Sequence, residues 1–255
     1  MDGAFAWSYT HWDAGVCTPV DGLIIDEGMV RLHVNGQELA TLMCTPSDLI
    51  TLALGFLRSE GIIRGLHDVR LVHVCPSQTC VEVWLQDAEV VLPSRAILTS
   101  GCGGGVTFDD LSQRAAPVAS RCRIEPQAVF RAMQDMSAAA SLYSTTRGVH
   151  TSALSDGQRL VAIAEDVGRH NTIDRLWGHC LQQGIDPANH ILVATGRISS
   201  EMLNKAAKMG IPAVVSRTSP TSLSVRLARE WDILLIGYVR SHSFNIYAGD
   251  WRLNN

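Results

Sequence analysis

Apolar and polar residues follow two periods along this chain, and the change between them outlines its organisation. Around Asn35-Gly36 the text "MVRLHVNGQELATLM" alternates with period two. Asn-Gly suits the two positive φ values of a type I′ turn, so the stretch from Gly22 to Met43 predicts an opening β-hairpin. In "TPSDLITLALGFLRSEGII" the apolar residues Leu49, Leu52, Ala53 and Phe56 take helical spacing. Thr45 reads as the N-cap, Pro46 as the first helical residue and Gly61 as the stop. "VRLVHVC" and "CVEVWLQ" read as two further strands. Residues 1–120 are therefore expected to form a small α+β domain.

After Pro117 the pattern lengthens. "EPQAVFRAMQDMSAAASLY" is helical through Val129, Met133 and Met136. The runs "LVAIAED", "HILVATG", "PAVVSR" and "DILLIGYV" then alternate with helical stretches at Asn171 to Gln183, Ser199 to Met209 and Ser222 to Arg229. Such alternation predicts an α/β domain over residues 121–255, with a substantially parallel, buried sheet.

Composition narrows the class. A length of 255 residues, 46% hydrophobic and 18% charged, suits one large or two small globular domains. The net charge of -4 argues against nonspecific nucleic-acid binding. With no basic and apolar leader and no long apolar run, a soluble cytoplasmic protein is expected, without a membrane partner. The seven cysteines, Cys17, Cys44, Cys75, Cys80, Cys102, Cys122 and Cys180, include no C-x-x-C pair. A disulfide framework and a zinc ribbon are both disfavoured, and Cys75 and Cys80 read as strand-end residues.

Candidate chemistry lies after the strands, because ligands of α/β domains gather at strand C-termini. "EDVGRHNTID", "TGRISSEM", "SRTSPTS" and "YVRSHSFNIY" are all rich in donors. Arg169, His170, Arg197, Arg217 and Arg240 could converge on a phosphate-bearing ligand. Taken singly, each has an ordinary structural explanation, such as a surface ion pair or a helix cap; four such loops together favour an anion site. His150 is followed by Thr151 and Ser152, and P-C-x-x-C is missing, so a deaminase-type catalytic zinc is not expected. Cys102 differs from the other thiols. In "LTSGCGGGVTF" it stands among Gly101, Gly103, Gly104 and Gly105, whose free backbone geometry allows access and whose N–H groups can favour a thiolate.

Together these motifs resemble the FdhD family of sulfur carriers required for formate dehydrogenase. The likeness runs from "TPSDLITLALGFLRSEGII" through "SGCGGG", "GVHTSAL", "EDVGRHNTIDRL" and "GRISSEM" to "LIGYVRSHSFNIY". It implies an N-terminal α+β domain joined to a three-layer α/β domain of cytidine deaminase-like fold, and a homodimer. It further implies that a cysteine desulfurase loads sulfur as a persulfide on Cys102. The acceptor would be the molybdenum bis(molybdopterin guanine dinucleotide) cofactor, bound as substrate with no permanent metal, before it enters formate dehydrogenase. The cofactor-binding stretch falls on Tyr238, Val239, Arg240, Ser241, His242 and Ser243, with Arg169, His170 and Arg197 beside it. The family pattern C-x-x-C has Gly105 in its second position here. Transfer then runs directly from Cys102, or uses a cysteine from elsewhere, or has been lost, leaving a cofactor-binding chaperone.

Overall fold

The structure is a computed structural model and describes residues 2–93, 97–98, 106–108 and 117–254. It opens on a long hairpin, β1 (Ala4–Asp13) and β2 (Val16–Ile25), turned by Ala14 and Gly15 at φ 45° and 91°. Sequence alternation misses this hairpin because both faces are exposed, including Phe5, Trp7 and Trp12. The predicted hairpin follows as β3 (Gly28–Val34) and β4 (Gln37–Cys44), with Asn35 and Gly36 at φ 51° and 80°. It begins at Gly28, since Gly22 to Ile25 belong to β2.

Helix α1 (Leu49–Ser59) starts three residues beyond Pro46, the predicted first helical residue. Asp48 occupies the N-cap position at φ 43°. Thr45 cannot cap because its polar groups are committed elsewhere. Its N–H donates to Asp166, its hydroxyl accepts from the Val167 N–H and its carbonyl accepts from Arg175. Strands β5 (Val69–Val74) and β6 (Cys80–Leu85) complete a sheet of order β4-β3-β6-β5, whose apolar face meets α1 through Leu32, Val83, Leu52 and Phe56. The short pair β7 (Ile97–Leu98) and β8 (Val106–Thr107) brackets the glycine loop, so Cys102 and Gly105 lie outside the described residues.

The second half is α/β. Helices α2 (Pro126–Ala139) and α3 (Ser141–Thr146) precede β9 (His150–Ser155), β10 (Leu160–Asp166), α4 (Arg169–Gln183), β11 (Ile191–Ala194) and α5 (Ser200–Lys208). Then come β12 (Ala213–Ser216), α6 (Ser222–Glu230), β13 (Leu234–Gly237) and β14 (Asn245–Ala248). The sheet order is β10-β9-β11-β12-β13-β14. Pleating sends Leu192 and Ala194 toward α4, α5 and α6, while Ile191 and Val193 point toward α2. The result is three layers.

The sheet is mixed, which corrects the parallel expectation. β11, β12 and β13 are parallel, whereas β9/β10, β9/β11 and β13/β14 are antiparallel. The connections from β9 to β10 and from β13 to β14 are too short for a crossover helix, so those strands must return antiparallel. A continuous buried apolar run does not report direction.

Helices α1 and α4 join the two halves at a glycine crossing. A Cβ on Gly55 would stand 1.7 Å from the Asp174 carbonyl oxygen, and one on Gly178 would stand 1.9 Å from that of Thr51. Only backbone can occupy that space. Across the same joint Arg175 donates to the Ser47 and Thr45 carbonyls at 2.6 Å each, and Lys208 donates to the Ser59 carbonyl.

Candidate functional site

The parallel strands β11, β12 and β13 end at one edge of the sheet, at Ala194, Ser216 and Gly237. Because β9 runs antiparallel to β11, and β10 antiparallel to β9, His150 and Asp166 reach that same edge. The fold therefore gathers all four predicted loops, together with His150, along one rim. They separate there into an exposed flank and a buried one.

On the exposed flank, β13 ends at Gly237 and the chain turns at Tyr238, whose φ is 53°. The Tyr238 N–H donates to the Thr218 carbonyl, and Val239 donates to that of Ser216. This ties the turn to the loop after β12. Arg240 is held by its Nη1, which donates to the carbonyls of Arg217 and Val239 at 2.8 and 2.9 Å. Its guanidinium also lies 5.7 Å from the Tyr238 ring. A cleft of about 560 Å³ opens here, with Arg217, Arg240 and Ser241 on its polar side and Phe130 and Met133 on its apolar side. Val239 also lines it and is buried, while Arg217, Arg240, Ser241, His242 and Ser243 are exposed. Two exposed guanidiniums above an apolar wall form a donor set that suits a phosphate joined to a flat ring.

The buried flank is different. Arg169 and His170, at the first turn of α4, are 7% and 6% exposed. They lie beneath the surface rather than in the cleft. His170 stands between Ser199 Oγ at 3.1 Å from Nε2 and Glu201 Oε2 at 3.2 Å from Nδ1. Burial lowers the His170 pKa to about 2, with Lys205, Arg169 and His150 adding to the effect. The ring is thus neutral, with the Ser199 hydroxyl at Nε2 and the Glu201 carboxylate near Nδ1. Ser199 also caps α5 by accepting from the Met202 N–H.

His150 is half-buried, and its pKa is lowered by burial and then by Arg169. A Cβ on Gly196 would stand 3.1 Å from its Nδ1, so glycine there keeps the loop after β11 against the ring. Arg197, next in the chain, is exposed.

Several charged members of this flank were not singled out from the sequence. Arg175 is 5% exposed and Asp166 fully buried; they pair at 2.7 Å, and the Gly168 N–H and Asn171 amide also donate to Asp166. Lys205 bonds both oxygens of Asp174 at 2.8 and 2.7 Å and lies 3.8 Å from Glu201. Although burial lowers the Lys205 pKa, Asp174, Glu201 and Glu60 raise it above its ordinary value. A signal was present: Lys205 stands within the buried face of α5 with Met202 and Ala206, where a charge requires a partner. Glu60 joins this network to the base of the glycine loop, accepting from the Thr107 hydroxyl at 3.0 Å and the Phe108 N–H at 2.7 Å.

Among the described residues no group of three or more His, Cys, Asp or Glu side chains is arranged to hold a metal ion. Nor is any helix of those residues long and apolar enough to cross a membrane.

An α/β protein with an arginine-lined cleft at a sheet edge defines a broad class. Comparison with known proteins narrows it. Residues 25–254 match the FdhD/NarQ family, and the chain belongs to that family. It is 36% identical over 252 residues to the sulfur carrier protein FdhD of Bacillus subtilis (strain 168), covering 97% of this chain and 95% of that one. A sulfur carrier protein FdhD from Staphylococcus haemolyticus is 33% identical, with coverages of 96% and 95%. Among solved structures, a Desulfotalea psychrophila protein assigned as a formate dehydrogenase accessory protein superposes with a TM-score of 0.79 at 25% identity. That match covers 98% of this chain and 99% of the other.

Proposed function

We propose that this chain is a cytoplasmic sulfur carrier that serves formate dehydrogenase, loading on Cys102 and delivering to a guanine-dinucleotide molybdenum cofactor held as substrate. The observation that carries the reading is the Arg217–Arg240 cleft, in a family whose relatives bear the name sulfur carrier protein. Its guanidiniums and apolar wall fit a phosphate-bearing nucleotide end of such a substrate. Tyr238, Val239, Ser241, His242 and Ser243 form or flank the same turn. Arg169 and His170 position the rim from beneath, and Arg197 adds positive charge to it. The cytidine deaminase-like label is consistent with the three layers.

In loading, the Cys102 thiolate attacks the outer sulfur of the persulfide on a cysteine desulfurase. A sulfur–sulfur bond forms at Cys102, the desulfurase bond breaks, and its cysteine leaves as thiolate. Delivery from a lone persulfide requires two electrons to release the outer sulfur as sulfide. With Gly105 in place of a second loop thiol, the substrate metal supplies them and Cys102 returns as thiolate. The exposed aromatic hairpin β1–β2, with Trp7 at 63% and Trp12 at 67% exposure, supports a homodimer in which a second copy covers it.

Incubation with a cysteine desulfurase and cysteine, followed by peptide mass spectrometry, tests the loading step. One added sulfur is expected on the Cys102 peptide. Cys102→Ala should abolish formate dehydrogenase maturation while leaving folding and guanosine diphosphate binding intact. No added sulfur with nucleotide binding retained would instead establish the cofactor-binding chaperone that Gly105 favours.

A further inference from the structure

A second sulfur centre lies at the tip of the β5–β6 hairpin. Val74 pairs with Val81, which places Cys75 directly opposite Cys80, and the Cys75 N–H donates to the Cys80 carbonyl at 3.0 Å. Opposed residues of an antiparallel pair have Cα atoms about 4.5 to 5.5 Å apart. That separation lies within the span a disulfide bridges, and side chains of opposed residues project to the same face.

The four residues between them enforce this geometry. The Gln78 N–H donates to the Cys75 carbonyl at 2.8 Å, with Pro76 at the second turn position and Gln78 at φ 55°. The Cys80 N–H then points not at the opposite carbonyl but at Cys75 Sγ, 2.9 Å away. Ser77 Oγ is 3.3 Å from the same sulfur and Thr79 Oγ1 is 3.9 Å from it.

These contacts separate the two sulfurs. The bonds from Cys80 and Ser77 lower the Cys75 pKa to about 6, while the bond to Cys75, burial and the Glu82 carboxylate raise that of Cys80. Cys44 and Cys180 are instead pushed up to about 12 and about 11, chiefly by burial. Val74 and Gln78 also line a cleft of about 510 Å³, so open space adjoins the turn.

We propose that Cys75 and Cys80 form a thiol–disulfide exchange site for small neutral disulfides, with Cys75 attacking and Cys80 resolving. The Cys75 thiolate attacks one sulfur of the disulfide, forming a mixed disulfide and expelling the first thiolate. Cys80, giving its proton to that thiolate, attacks Cys75 Sγ and expels the second. The pair is oxidised by two electrons, and the small disulfide is reduced to one thiol and one thiolate, which takes its proton from solvent. Neither step uses Cys102.

The test exposes reduced full-length protein at pH 7 to 2-hydroxyethyl disulfide, alkylates the remaining thiols and maps the peptides. A Cys75–Cys80 disulfide is expected, two hydrogens lighter than the dithiol, in both the wild type and Cys102→Ala. Cys80→Ser should accumulate a mixed disulfide on Cys75. In the reduced wild type, alkylation of Cys75 should be half-maximal near pH 6. The proposal is overturned if no Cys75–Cys80 disulfide forms in the wild type, or if Cys122 and Cys17 react as fast as Cys75. Because desulfurase loading is read on a different peptide, failure there leaves this result distinct.

Discussion

The two flanks of the sheet edge share a charge-rich composition but not an environment. On the buried flank Arg175, Asp166, Lys205 and Asp174 are at most 5% exposed and satisfy one another within bonding distance. On the exposed flank Arg217 and Arg240 face a cleft, and the Arg240 bonds to backbone carbonyls orient its guanidinium without neutralising it. A charge paired inside the protein positions the fold, whereas one held in place at a cleft retains attraction for a ligand. The same residue type thus does structural work on one side and offers recognition on the other.

Removing one member of a buried pair should break this contrast most strongly. Arg175→Met leaves the Asp166 carboxylate buried without its cation and removes the guanidinium bonds to the Thr45, Ser47 and Asp48 carbonyls, of which Thr45 and Asp48 keep a backbone donor. A loss of about 3–5 kcal/mol is expected, which lowers the melting temperature by roughly 10 °C. Calorimetry checks it, and a melting temperature within a degree or two of wild type would remove the structural role assigned to the pair.

Arg240→Ala should show the opposite division. Its stability should stay within about 0.5 kcal/mol of wild type, while guanosine diphosphate affinity falls roughly tenfold to a hundredfold through a lost charge-assisted bond. Titration calorimetry with guanosine diphosphate reads the second effect. Unchanged affinity would show that the cleft is not the anion site.

His170 refines the comparison through pH. Its folded pKa of about 2 lies below the ordinary value of 6.5, so the unfolded chain binds the extra proton. The stabilisation is present above pH 6.5 and is lost as pH falls below it, at roughly 1.4 kcal/mol per pH unit. In His170→Gln, urea titrations between pH 7 and 5 should show a slope shallower by about that amount. Equal slopes would mean that the ring protonates as readily folded as unfolded.

Much of the architecture was legible because local rules and the fold agree. Asn35-Gly36 marked its hairpin, the helical spacing after Pro126 marked α2, and the apolar runs marked the buried strands. Legibility failed where distant residues intervened. Thr45 looks like a helix cap but bonds Asp166 and Val167, more than a hundred positions away. The β1–β2 hairpin lacks a buried face, so no alternation revealed it. The parallel reading failed for β9, β10 and β14 because apolarity reports burial rather than direction.

By itself, the sequence determined the family, the α/β class and the polar loops that follow the strands, because motifs and periodicity are properties of neighbouring residues. Which charges are buried and which remain available follows from how the elements pack. That division depends on what packs over each side chain: α4 and α5 close over His170 and Lys205, while Arg217 and Arg240 stand at an open rim. Desolvation decides it, and desolvation is set by neighbours that the chain brings together only on folding.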